Sequence, residues 1–194
     1  MEYIPLKKEF FKVGALDLAQ SLLGKILVHT TPKGLLAGII VETEAYLQND
    51  PASHSSIGAT NRSKPMFEEG GIAYVYFTYG MHYCFNIVSG KKGTGEAVLI
   101  RALEPLKGID IMKLNRKQTN ISNLTNGPAK LTQAFGINKN HNYLKLYTKP
   151  LYITINPKED KSKEIIQTTR IGIKVGADLP YRFYIKGNKF VSKL

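Results

Sequence analysis

The hexapeptide VETEAY, residues 41–46, places Glu42, Glu44 and Tyr46 two residues apart. Side chains of an extended chain alternate between faces, so these three share one face while Thr43 and Ala45 share the other. A carboxylate beside an aromatic ring at a strand end can activate a water. An edge strand whose solvated face carries two glutamates accounts for the same pattern, and for the hexapeptide by itself that reading is preferred. His54, in DPASHSS, follows in a loop-like stretch, where a histidine is ordinarily solvated or locally bonded. Together with Tyr46 and Tyr76 it could instead wall a flat slot for a planar ring, because stacking needs opposed π faces. Core packing explains either tyrosine equally well.

More rings follow in GIAYVYFTYGMHYCFNIVSG, residues 71–90, which holds Tyr74, Tyr76, Tyr79, Tyr83, Phe77 and Phe85. Read as a hairpin reversing at Tyr79-Gly80, its first strand puts Tyr74 and Tyr76 on one face and Ala73, Val75 and Phe77 on the other. The return strand puts Cys84 and Asn86 on one side and Tyr83, Phe85 and Ile87 opposite. A ring at the tip, Tyr79, suits insertion between base pairs, as wedge residues do in a minor groove. A tip folded back onto the domain or packed on a partner chain is the alternative. Asn86 could bond a base edge or satisfy nearby backbone, and by itself the second is preferred. Arg101 is the one charge inside AVLIRAL; a buried arginine wants a carboxylate or phosphate partner, which a structural ion pair would also supply.

These residues need elements to hold them. FFKVGALDLAQSLLGK spaces Phe11, Leu16, Ala19, Leu22 and Leu23 in a helical rhythm that Gly24 ends. KILVHT and LLAGIIVETEAYL read as strands joined at the turn TPKG. From Gln48 to Gly71 the chain is rich in Ser, Gly, Pro and Asn, and a connection this long inside a domain is often functional. After the aromatic hairpin, AVLIRALEPL reads as a strand ending at its proline. LKGIDIMKLNRK and PAKLTQAFGI read as helices, the second with Pro128 in its first turn. LYITI, RIGIKV, YRFYIK and KFVS read as short strands, and NPKEDKSKE as a surface loop. The pattern is a mixed α+β domain with long hairpins rather than a βαβ series.

Composition narrows the partners. Twenty-seven Lys and Arg against 15 Asp and Glu give a net charge of +12 over 194 residues. Such an excess favours a polyanion, nucleic acid first, through counterion release and steering; a well-solvated basic surface is the plainer alternative. The one cysteine, Cys84, excludes an intrachain disulfide and reads as a small buried side chain. The four histidines make no metal-binding spacing, and there is no Gly-rich phosphate loop, so neither a metal nor another cofactor is expected. The start of the chain does not read as a signal peptide and no apolar run reaches membrane length, so no membrane partner and a cytoplasmic location are expected.

Five segments in this order, VETEAYL, ASHS, YVYFTYGMHYCFNIV, VLIRALEP and NGPAKLTQAFGI, resemble the alkyladenine (3-methyladenine) DNA glycosylase family, and the likeness runs essentially from the first helix to RFYIKGNKFVS. The resemblance implies a single domain over residues 1–194, α+β, with a curved, mostly antiparallel sheet, flanking helices and a protruding hairpin. It implies base excision from double-stranded DNA containing damaged purines, by a monomer. By the same likeness Glu44, not Glu42, is the water-activating carboxylate. Tyr46 and His54 hold the flipped base, with Tyr76 as a further wall. Asn86 disfavours guanine by crowding its 2-amino group. Arg101 holds the water or a phosphate near the sugar, and Tyr79 fills the gap left in the duplex. The chain departs from animal members in lacking a long N-terminal extension and in the longer loop SGKKGTGEA before VLIRA. A non-catalytic nucleic-acid-binding domain on the same scaffold is the rival reading. A carbohydrate hydrolase using Glu42 and Glu44 is disfavoured, since carboxylates two apart on a strand face the same way and cannot flank a bond.

Overall fold

The structure is a computed structural model that describes residues 3–78 and 80–193. Helix α1, Ala15–Leu22, is amphipathic, and Ala15, Leu18, Ala19 and Leu22 are buried on its inner face. Its first free N–H, that of Ala15, donates to Glu96 Oε2 at 2.9 Å, an acidic partner where the helix dipole favours one. Strands β1, Ile26–Thr31, and β2, Gly34–Tyr46, pair as the expected hairpin. Strands β3, Ala73–Thr78, and β4, His82–Ser89, form the aromatic hairpin, with Tyr74 opposite Asn86 and Tyr76 opposite Cys84. Gly80 takes φ +67° in the turn, a conformation that favours glycine. Tyr79, expected at the apex, lies outside the described residues.

Strand β5, Glu96–Lys107, runs through Pro105 rather than ending there. It can do so because β2 is irregular opposite the proline: the register slips between Ala37 and Gly38, and Gly38 faces Pro105. Helices α2, Ile109–Arg116, and α3, Pro128–Phe135, follow as read, α3 opening on its proline and closing at Gly136. The remaining strands are β6, Leu151–Thr154; β7, Ile165–Thr168; and β8, Arg182–Ile185. One antiparallel sheet runs β3-β4-β5-β2-β1-β6, with β8 added to β2 and β7 to β8. Strand β2 curls it. Residues 34–39 of β2 pair with β1, and residues 42–44 pair on with β8, so one long strand passes its edge from one neighbour to the next.

Two expected strands are absent. RIGIKV and KFVS are irregular, while Ile165–Thr168, not anticipated, is β7. Both irregular segments lie on the Glu42–Glu44 face of β2 and spend their polar groups on its side chains instead of on a ladder. The opposite face carries the main core. Ala45 packs there with α1, Phe85 and Ile100, and Thr43 Oγ donates to the Ala19 carbonyl at 2.9 Å.

Candidate active site

Because β2 is interior to the sheet and overlaid by residues 170–193, its glutamates are not solvated: Glu42 and Glu44 are both 0% exposed. The edge-strand reading is overturned for that reason. A buried carboxylate must be paired and hydrogen-bonded, and these two are, in different ways. Glu44 Oε2 accepts from the Tyr46 hydroxyl at 2.9 Å, and Oε1 accepts from the Ile171 N–H at 2.8 Å. Arg101 Nη1 stands 3.2 Å from the same Oε1. Glu42 meets the same arginine at Nε, and also Arg182 Nε and Ser192. Burial opposes the charge on Arg101, but Glu44 and Glu42 outweigh it and hold the guanidinium above its ordinary range. Arg101 has the carboxylate partner that its sequence context requires.

Tyr46 separates Glu44 from a cavity of about 180 Å³. Tyr46, His54, Tyr74, Tyr76 and Asn86 line it, with Arg62 among the residues of its wall. The volume falls below the ~300–1,000 Å³ of common small-molecule sites, which suits a single planar group better than a whole nucleotide. Glu44 does not itself line the cavity; the Tyr46 hydroxyl links the two. Burial, then the charge of Glu44 and the hydrogen bond to it, push that hydroxyl far above the ordinary phenol range, so it remains a donor.

His54 meets Tyr76 edge-on, with ring centroids 4.6 Å apart and planes at 78°. Its Nδ1 lies 2.8 Å from the Tyr74 hydroxyl, which fixes the imidazole. Asn86 Nδ2 donates to the Tyr74 carbonyl at 3.0 Å, so it satisfies backbone while lining the cavity. Cys84 is buried, as read. Phe77 and Met81, flanking the hairpin turn, are 51% and 70% exposed. Thus Tyr46, His54, Tyr76 and Asn86 share one cavity, while Arg101 meets Glu44 behind its wall.

Arg170 was not singled out from the sequence. Its guanidinium is fully buried in an ion pair with Asp50, donates to the Ala45 carbonyl at 3.1 Å, and lies 4.7 Å from the Tyr46 ring centroid. It anchors the segment that delivers the Ile171 N–H to Glu44. RIGIKV offers an alternating strand pattern; that its arginine instead pairs with Asp50 and the Ala45 carbonyl is a tertiary fact which that pattern does not carry.

Burial, reinforced by Arg62, lowers His54 to about 4 from an ordinary 6.5. His29 and His141 are also lowered, again chiefly by burial. Below pH 6.5 the unfolded chain therefore takes up more protons than the folded one. The stability linked to these groups is complete above pH 6.5 and falls as pH drops toward 4. We expect a lower urea midpoint at pH 5 than at pH 7.5, with a weaker pH dependence in a His54→Gln variant. Equal midpoints at the two pH values would contradict the burial of neutral imidazoles.

Among the described residues no cluster of three or more His, Cys, Asp or Glu could hold a metal, and no helix is long and apolar enough to cross a membrane. Comparison with known proteins gives consistent matches. A profile of the family described as Methylpurine-DNA glycosylase matches residues 9–189. The chain is 52% identical over 184 residues to a protein of Francisella tularensis subsp. tularensis (strain SCHU S4 / Schu 4), covering 94% of this chain and 95% of the relative. It is 53% identical over 189 residues to a protein of Carboxydothermus hydrogenoformans and 47% identical over 190 residues to one of Methanoculleus marisnigri, covering 97% of this chain and 98% of the relative in each case. All three relatives are provisionally named 3-methyladenine DNA glycosylase.

Proposed function

Because the chain belongs to the Methylpurine-DNA glycosylase family, we propose that it takes alkylated or deaminated purines out of duplex DNA and hydrolyses their N-glycosidic bond with a water activated by Glu44. The observation that carries this reading is the link from a buried carboxylate, through the Tyr46 hydroxyl, to an aromatic cavity of base size. Flipping a base costs a few kcal/mol, least for damaged or mispaired bases, and the stacking walls offset it. Tyr46, Tyr76 and His54 hold the base, and Asn86 crowds the 2-amino group of guanine. Tyr79 fills the vacated step, in keeping with the exposed apolar side chains on either side of the turn. The net charge of +12 supports a sequence-independent grip on phosphates.

The transition state of glycosidic cleavage resembles an oxocarbenium ion, so an anion near the sugar stabilises it while a positioned water attacks C1′. Glu44 Oε1 is engaged by Ile171 and Arg101 while Oε2 accepts only from Tyr46, so a carboxylate with about four acceptor sites keeps one on Oε2 for the water. Arg101 leaves that site open because it meets Glu44 through one nitrogen, its others engaging Glu42 and Ser192. The partners of Glu44 are a tyrosine, an arginine and a backbone amide rather than a lysine. A Schiff-base step has no nucleophile there, and we expect excision without strand cleavage, by a monomer acting in the cytoplasm.

The test is to incubate the protein with duplexes carrying hypoxanthine or 7-methylguanine and score alkali-labile abasic sites. Release of neither base would overturn the reading and favour a binding domain. A Tyr79→Ala variant is expected to process fully paired lesions less well than mismatched ones. An equal loss on both would count against the wedge.

A further inference from the structure

Glu42 is a fully buried carboxylate with four donors on its two oxygens. Oε1 accepts from Arg101 Nε at 3.1 Å, Arg182 Nε at 2.7 Å and the Ser192 hydroxyl at 2.9 Å; Oε2 accepts from the Ser192 N–H at 2.6 Å. Ser192 Oγ in turn accepts from Arg101 Nη2 at 3.4 Å. Each nitrogen of the Arg101 guanidinium therefore faces a different residue: Nε faces Glu42, Nη2 faces Ser192, and Nη1 faces Glu44 at 3.2 Å. A guanidinium is a rigid planar fork, so fixing two of its nitrogens sets where the third can lie.

The segment that brings Ser192 here has no regular structure, yet it is held at several points. Phe190 packs with Val41 and Ala102. Asn188 Nδ2 donates to Glu104 Oε2 at 2.7 Å, and the Lys193 carbonyl accepts from Arg182 Nη2. Residues 188–193 thus reach across the sheet to a group that adjoins the Glu44 carboxylate.

We propose that Glu42 and Ser192 are positioning residues for base release, holding Arg101 to a single-nitrogen contact with Glu44 so that the Glu44 carboxylate can take a water. An arginine released from such restraints pairs with a carboxylate through two parallel N–H···O bonds, which would occupy both Glu44 oxygens. The pair of glutamates is in this way divided: Glu44 is linked to the base cavity through the Tyr46 hydroxyl, and Glu42 keeps Arg101 from closing on Glu44. The inference rests on the assignment of Glu44 as the water-activating group.

The experiment compares wild type, Glu42→Gln, Ser192→Ala, the double variant and Glu44→Gln on a lesion duplex. It measures the saturating single-turnover rate of base release, the dissociation constant and the urea midpoint. Ser192→Ala keeps the backbone N–H and loses only the hydroxyl, so it should fold; its saturating rate is expected to fall about fivefold, the scale of one hydrogen bond, at unchanged affinity. Glu42→Gln is expected to lower the rate about 10- to 100-fold, as loss of alignment does. The double variant should be no slower than Glu42→Gln, because both changes act through Arg101. A purely structural role would instead move the midpoint and leave the saturating rate of the folded protein unchanged. If Glu42→Gln does not fold, Ser192→Ala decides, and a wild-type rate in that variant overturns the proposal. If Glu44→Gln is as active as wild type, the assignment of Glu44 fails and this inference fails with it. If Glu44→Gln is inactive while Ser192→Ala and Glu42→Gln are unimpaired, only the positioning role is lost.

Discussion

The Glu44→Gln variant is expected to release base about 10²- to 10⁴-fold more slowly than wild type in a single turnover, the span attributed to general-base assistance, while binding lesion duplex with little change. The substitution is isosteric, and the site can accept it. The amide oxygen can take the Ile171 N–H that Oε1 now accepts at 2.8 Å, and the amide nitrogen can donate to the Tyr46 hydroxyl oxygen, 2.9 Å from Oε2. Arg101 keeps Glu42. Fold and pocket should therefore survive, and what is lost is one negative charge and one proton acceptor. A neutral amide neither opposes the developing oxocarbenium charge nor deprotonates the water. The rate should accordingly fall without a matching fall in affinity, which separates this outcome from unfolding. A Glu44→Gln protein that releases base at the wild-type rate would place the chemistry elsewhere.

Parts of this arrangement were legible because they depend on local periodicity. Alternation along residues 73–78 assigned Tyr74 and Tyr76 to one face and Ala73 and Val75 to the other, and the first pair lines the cavity while the second packs in the core. Strands β1 and β2, helix α3 with its proline start, and the buried Cys84 follow from the same local rules. What local pattern does not carry is which side of a strand is covered. The exposed face expected for Glu42 and Glu44 depended on nothing lying over β2. The cover comes from residues 170–193, more than a hundred positions away in the chain, in segments whose alternating apolar residues imitate strands. Asp50 and Arg170 were passed over for the same reason. Each is an ordinary loop charge in sequence, and they become a buried pair only when the two loops close. The angle between His54 and Tyr76 was equally out of reach, because it is set by the bond from His54 to Tyr74 across 20 residues.

That buried pair yields the largest stability prediction. Asp50→Ala is expected to destabilise the fold by about 3–5 kcal/mol, the usual consequence of removing one partner from a buried ion pair. The side chains of Arg170 and Asp50 are 0% and 1% exposed. Without the carboxylate, Arg170 retains the carbonyls of Ala45 at 3.1 Å and Gly176 at 3.2 Å, the faces of Tyr46 and Tyr181, and the more distant charge of Glu44. None of these offsets a full charge out of water. Such a loss is a large share of the ~5–15 kcal/mol that holds a domain together, so the urea midpoint should drop sharply. A second variant separates packing from chemistry. Replacing both partners by apolar residues, Asp50→Leu with Arg170→Met, removes the desolvated charges together and should regain much of the lost stability. It should not regain the rate. Tyr46 would no longer have the cation over its ring, and the Ile171 N–H, one residue from Arg170, would lose the anchor that aims it at Glu44. A double variant that recovers the midpoint but stays slow at saturating duplex would assign Arg170 to the geometry around Glu44. One that recovers both would reduce the pair to a structural fastening.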